Sequence, residues 1–157
     1  MSAITLIHET DLDAPAALAW RVVADYARDI EWRTGVLRMV PSPMGLVQVG
    51  TTTAEEMKVA GKTYRNYGEV VAVEPGSRFE WRTTAGAVAH GSRQVIPIDP
   101  GRCRLQLQLH VTPSGLNRLF APMLKNVLAK GLAGDVERLR DLVEAKATIE
   151  TVSTPGS

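Results

Sequence analysis

The residues best suited to proton chemistry sit in the middle of the chain. His90 carries an imidazole, which can both donate and accept a hydrogen bond when neutral and so suits acid–base chemistry. Thr83 is placed to orient it. Glu55, opposite Asn66, offers a carboxylate suited, when buried, to act as a general base for enolisation. Tyr64 and Asn66 offer hydrogen bonds to a carbonyl. The plainer readings are a histidine that satisfies a local hydrogen bond and a glutamate at a wet cavity mouth. His8 shares the phase of Ile4 and Leu6, whereas His110 falls in an outward phase. Arg33 is a solvated arginine or a group that meets a ligand head at the entrance.

These groups need a sheet to bring them together. Alternating patterns predict strands at Ile4–Leu12, Val36–Val40, Leu46–Val59, Lys62–Val73, Arg78–Ala85, Val88–Ile98 and Arg102–Thr112. Asp13 and Pro15 open a helix carrying Leu18, Val22 and Tyr26. A second short helix covers Ala27–Trp32 and stops at Gly35. Turn signals at Ala60-Gly61, Pro75-Gly76, Gly86-Ala87 and Pro100-Gly101 make the later strands an antiparallel meander. Pro-Gly turns suit four-residue loops better than two-residue ones, whose twist they mismatch.

The final strand alternates most clearly, with Cys103, Leu105, Leu107, Leu109 and Val111 facing the core. Folding back about Pro100-Gly101 sets Ile98 opposite Cys103, Gln94 opposite Leu107, Ser92 opposite Leu109 and His90 opposite Val111. The next turns set Thr83 opposite His90, Trp81 opposite Ser92, Val70 opposite Trp81, Met57 opposite Tyr64 and Glu55 opposite Asn66. The inner face then carries Glu55, Asn66, Thr83, His90, Ser92 and Gln94 beside Met57, Tyr64, Phe79 and Trp81. Each unsatisfied polar group buried there would cost ~1–3 kcal/mol. The polar content therefore implies a cavity in which water or a ligand meets these groups. Val71, Val73 and Val95 break the phase, and a single bulge would turn over everything beyond it.

The opposite wall is a long amphipathic helix, Leu116–Ala147. Leu124, Leu128, Leu132, Val136, Leu139 and Val143 recur on one face. Pro122 starts or kinks it, leaving Leu116–Phe120 as a separate short turn. Gly131 costs ~1 kcal/mol in a helix interior relative to alanine. It falls near the inner stripe, where it leaves room for a ligand or for close approach of the sheet. Met123 and Val127 before it border the cavity. Val136 through Val143 form plain core.

Composition bounds the rest. Eighteen basic and seventeen acidic side chains nearly cancel, so bulk charge gives no support to nucleic-acid binding. One cysteine, Cys103, excludes an intrachain disulfide and zinc fingers built on two or more cysteines. Three scattered histidines argue against a metal site, and no phosphate-binding glycine loop or nucleophile elbow occurs. No apolar run approaches ~18 residues, so membrane insertion is not expected. Met1–Thr10 lacks the basic start of a secretory leader, which sets the expectation of a cytoplasmic protein. One domain over residues 1–147 and a disordered tail over 148–157 are expected. The oligomeric state is left open.

The order of elements resembles the START-like, or helix-grip, superfamily, and within it the polyketide cyclase/dehydrase and lipid-transport family. The likeness rests on Ala14-Pro15, Trp20, Val22, Asp25 and Trp32, then Val49-Gly50-Thr51. It continues through Val70, Glu74-Pro75-Gly76-Ser77-Arg78-Phe79 and Leu139. It implies an α+β helix-grip fold: a curved seven-stranded antiparallel sheet around a long C-terminal helix, with two short helices after the first strand. It also implies a cavity for apolar molecules, without any catalytic motif shared across the family. Two functions follow as expectations. One is a protein that binds a small hydrophobic ligand, such as a lipid, polyketide or aromatic compound. The other is a cyclase/dehydratase using His90 and Glu55. Neither requires a cofactor. The expected ligand-binding residues are Met57, Tyr64, Asn66, Phe79, Trp81, Thr83, Ser92, Gln94, Leu107, Leu109, Met123, Val127 and Gly131.

Overall fold

A computed structural model describes residues 3–153. Strand β1 (Ile4–Leu12) leads into α1 (Ala16–Val23), a 3-10 turn (Tyr26–Arg28) and α2 (Asp29–Trp32). Then come β2 (Val36–Ser42), β3 (Thr52–Val59), β4 (Lys62–Glu74), β5 (Arg78–Ala85), β6 (Val88–Asp99) and β7 (Arg102–Thr112). A 3-10 turn (Gly115–Arg118) precedes the terminal helix α3 (Ala121–Ser153). The seven strands form one antiparallel sheet in the order β1-β7-β6-β5-β4-β3-β2. The sheet curls around α3, as expected of a helix-grip fold. Among the described residues, no helix is long and apolar enough to cross a membrane.

Several boundaries differ from the sequence expectation. Asp13 does not cap α1, because Pro15 itself takes the N-cap position. The Asp13 backbone N–H instead donates to Glu144 Oε2 at 2.8 Å, fastening the chain to α3. Asp25 caps the turn before α2 by accepting from the Ala27 N–H at 3.1 Å. Residues 46–51 are not part of β3. Their backbone is satisfied elsewhere: Val47 N–H donates to Ala24 and Gly50 N–H to Val70, at 2.9 and 2.8 Å. Strand β2 runs through Pro41 to Ser42, which an edge strand tolerates. Pro122 lies in the first turn of α3, after the separate turn at Gly115–Arg118, as the spacing predicted. The helix continues to Ser153, so residues 148–153 are helical rather than a disordered tail. Residues 154–157 of that expected tail lie outside the described residues.

The largest correction is to register. Pro100-Gly101 is a two-residue link between paired Asp99 and Arg102, not part of a longer loop. Pairing then jumps to Pro97 opposite Cys103, leaving Ile98 as the extra residue. A bulge raises local strand twist, which lets such a mismatched turn join the strands. Beyond Ile98 every β6 side chain is turned over. Val95 pairs with Leu105, Arg93 with Leu107, Gly91 with Leu109 and Ala89 with Val111. A second bulge at Val71 sets Val70 opposite Trp81 but Val73 opposite Phe79. A third sits at Thr84, between Tyr67 opposite Ala85 and Gly68 opposite Thr83. The β3–β4 register matches the expectation throughout, including Met57 opposite Tyr64 and Glu55 opposite Asn66.

The core sits where α1, α2 and the second half of α3 cover the sheet. Leu12, Val22, Val23, Val95, Leu105, Val136, Leu139 and Val143 are all buried there. Phe79 joins this core rather than a cavity wall. Its ring meets Trp20 and Tyr26 edge-on, with centroids 6.1 and 5.7 Å away.

Candidate functional site

The other half of the molecule encloses a cavity of about 730 Å3. That is within the range of roughly 300–1,000 Å3 usual for small-molecule sites. The sheet supplies Met57, Tyr64, Trp81, Thr83, Leu107 and Leu109 to its lining, and α3 supplies Leu124, Val127, Leu128 and Gly131. Alternation in β3, β4, β5 and β7 aims these sheet residues inward. Gly91 is fixed by its neighbours: a Cβ there would run into the Gln108 carbonyl oxygen and come within 2.8 Å of the Trp81 indole, so only glycine fits between them. A Cβ on Gly131 would meet nothing within 4 Å, so that position opens onto free space.

The closed end of the chamber is ionic. Arg93 reaches from β6 to α2 and grips Asp29 with both terminal nitrogens, at 2.9 and 2.7 Å. It also donates to the Val23 carbonyl at 3.0 Å. Its guanidinium lies 4.8 Å from the ring centroid of Tyr26, 4.9 Å from that of Trp32 and 5.6 Å from that of Phe79. Such a cation–π cage favours a desolvated arginine. Arg33 extends the network, donating to Asp29 at 3.0 Å and to Glu55 at 2.8 Å. Asn66 then donates to Glu55 at 3.2 Å and accepts from the Ala87 N–H at 2.9 Å.

Two guanidinium groups thus face two carboxylates. Burial pulls the Arg33 guanidinium down, but Glu55 and Asp29 together outweigh it and hold the group above its ordinary range. Arg93 is raised in the same way, with Asp29 outweighing the desolvation. Burial pushes the Tyr26 phenol up. It also raises the Asp135 carboxyl, against the hydrogen bond from Arg138.

The expected acid–base set is not brought together. His90 is on the outer face of the sheet, exposed and stacked on His110 with ring centroids 4.7 Å apart. The bulge at Ile98 is the reason, since it turns even-numbered β6 residues away from the helix. Gln94 is turned out with it, between Arg78 and Gln106, and does not border the cavity. Ser92 is buried and borders the cavity, although it shares that phase. Thr83 orients no histidine. Its hydroxyl donates to the Ala89 carbonyl and accepts from the Ala89 N–H, at 3.1 and 3.0 Å, tying β5 to β6.

Glu55 does line the cavity, but as the partner of Arg33 and Asn66 rather than as an unattached base. Tyr64 lines it too, and its hydroxyl accepts from Asn117 Nδ2 at 3.5 Å. Met123 is exposed and does not border the cavity, because it sits off the inner stripe of α3. His8 is half-buried and also lies outside the cavity lining. Sequence reasoning missed Asp29 and Arg93. The signal was Val95: placing that valine inward requires Arg93, two residues earlier, to point inward as well. Among the described residues, no cluster of histidine, cysteine and carboxylates could hold a metal ion.

This curled sheet, the helix across it and the chamber between them define a helix-grip protein. The chain belongs to the polyketide cyclase/dehydrase and lipid-transport family, whose model matches residues 4–144. A comparison with curated proteins finds no match. Among solved structures, the fold is similar to the Zhui aromatase/cyclase from Streptomyces sp. R1128, with 17% identity over 91% of this chain and 94% of that one, at a TM-score of 0.77. A START superfamily protein from Mycobacterium smegmatis shows 15% identity over 90% of this chain and 97% of that one, at 0.72. Major latex-like protein 151 from Panax ginseng shows 10% identity over 92% and 97%, at 0.65. At these identities the likeness establishes the fold alone.

Proposed function

We propose that this chain binds a small hydrophobic molecule, such as a lipid, polyketide or aromatic compound, between the sheet and α3. The observation that carries this reading is the cavity of about 730 Å3, lined by Trp81, Leu107, Leu109, Val127 and Leu128 and left open at Gly131. A core built only for stability would fill that volume, because voids cost packing energy. The ligand's body rests against these apolar residues. Any oxygen it carries meets Arg33, Asn66 or Tyr64.

Binding is favoured over acid–base turnover. The carboxylates that line the chamber, Glu55 and Asp135, are each engaged by an arginine. His90 is outside. The test is native mass spectrometry of the purified chain, followed by extraction and identification of what it carries. The reading expects a bound apolar species or saturable uptake of one, with Glu55→Gln and His90→Ala leaving any conversion of that species unchanged. A loss of turnover in Glu55→Gln with binding retained would favour the cyclase/dehydratase alternative.

A further inference from the structure

The mouth of the cavity has a surface of its own. Leu116 lines the cavity yet is 77% exposed. Leu119, Phe120 and Met123 follow it at the start of α3, 76%, 54% and 59% exposed. Large apolar side chains clustered in solvent mark a binding surface. Their surroundings carry one sign of charge. Lys58 and Lys62 line the mouth from the β3–β4 hairpin, and Arg118, Lys125 and Lys130 flank the apolar cluster. Residues 113–134 contain no acidic side chain. Among the described residues, none of these five cations has an ion-pair partner, while elsewhere Arg21, Arg82 and Arg104 are paired. Among the described residues only Arg38 and Lys146 are likewise without an ion-pair partner, so most of the unpaired positive charge of this near-neutral chain lies where its apolar chamber opens.

We infer that this end docks peripherally on an anionic lipid bilayer, with Leu119, Phe120 and Met123 entering the interface and the cations meeting lipid phosphates. Apolar side chains beside lysines and arginines are the composition that holds a helix in the plane of a charged interface. Docking this way faces the cavity toward the membrane, so an apolar molecule passes between bilayer and chamber without crossing water. The inference extends the binding reading above, but its test uses vesicles alone and no cavity probe. A failure of docking therefore leaves the cavity reading to its own experiment.

The experiment is flotation of the full chain with vesicles of phosphatidylcholine, with and without phosphatidylglycerol. Binding is expected on the anionic vesicles, and about tenfold or more weaker without phosphatidylglycerol or at high salt. Replacing both Leu119→Asp and Phe120→Asp should lower binding about tenfold or more while the thermal melt is kept, since both are exposed. Replacing Lys125→Glu and Lys130→Glu should weaken binding and flatten its salt dependence. The inference is overturned by absence of flotation with anionic vesicles, or by undiminished flotation of the Leu119/Phe120 variant. It is also overturned by light scattering that finds a dimer split by that variant, which would give the surface to a second copy of the chain.

Discussion

The two halves of α3 present the same apolar stripe to different surroundings. After Gly131 the stripe meets α1, α2 and β1, and Val136, Leu139 and Val143 are wholly buried. Before it, Leu124, Val127 and Leu128 face the open chamber and stay half-buried. Helical periodicity cannot tell these apart, because a leucine facing a ligand and a leucine facing a core obey the same spacing. What separates them is the material packed opposite. The two short helices between β1 and β2 close one end of the curled sheet, and among the described residues no such helix pair closes the other.

The most severe way to break this division acts at its closed end. Asp29 neutralises Arg93 and Arg33 where no water reaches it. Asp29→Ala strands the Arg93 guanidinium and leaves Arg33 with Glu55 alone, and urea denaturation should show a loss of about 3–5 kcal/mol. Converting the pair together, with Asp29→Leu and Arg93→Met, should recover much of that loss, since well-packed apolar replacements are often neutral.

A smaller contrast compares the halves of α3 directly. Leu139→Ala opens a void in packed core and should cost about 2–5 kcal/mol. Leu128→Ala only enlarges a space that is already open, and should cost about 1 kcal/mol. Equal losses would mean that the chamber is packed in solution.

The smallest effect is chemical. Cys103 is fully buried beneath the β6–β7 turn, and burial pushes its thiol up to about 11. The thiolate is the reactive form, and raising the pKa depletes it at every pH below that value. Alkylation at pH 8 should therefore run more than about a hundredfold slower in the native chain than in urea, limited by opening of the core. Comparable rates would mean that the closed end is not closed.

Much of this arrangement is legible in the residues. Seven strands, the order of turns and the β3–β4 register follow from alternation and from glycine and proline placement. Glu55 against Asn66 and Met57 against Tyr64 come from that register. The chemistry was misplaced because alternation carries no memory of a bulge. Ile98 fits either face, so nothing local marks it as the extra residue, and His90 is carried to the wrong side. The three valines that broke the phase held the information. With bulges at Val71 and Ile98, Val73 and Val95 turn inward and Val71 outward. The same flip brings Arg93 inside, where Asp29 is the carboxylate able to receive it. That ion pair lies 64 residues apart in the chain, beyond the reach of any local pattern.

The central claim is that α3 before Gly131 borders a chamber built for an apolar molecule. Gly131→Leu tests it most directly, because a leucine there projects into space in which nothing beyond the helix's own local backbone lies within 4 Å of the new Cβ. Saturable binding of an apolar fluorescent probe to the parent chain, followed by its fluorescence, is the measurement. The account predicts about a tenfold or greater loss of probe affinity in the variant, with stability within about 1 kcal/mol of the parent, since leucine is also the better helix former. Unchanged probe affinity, or a variant that loses stability while still binding the probe, would contradict it.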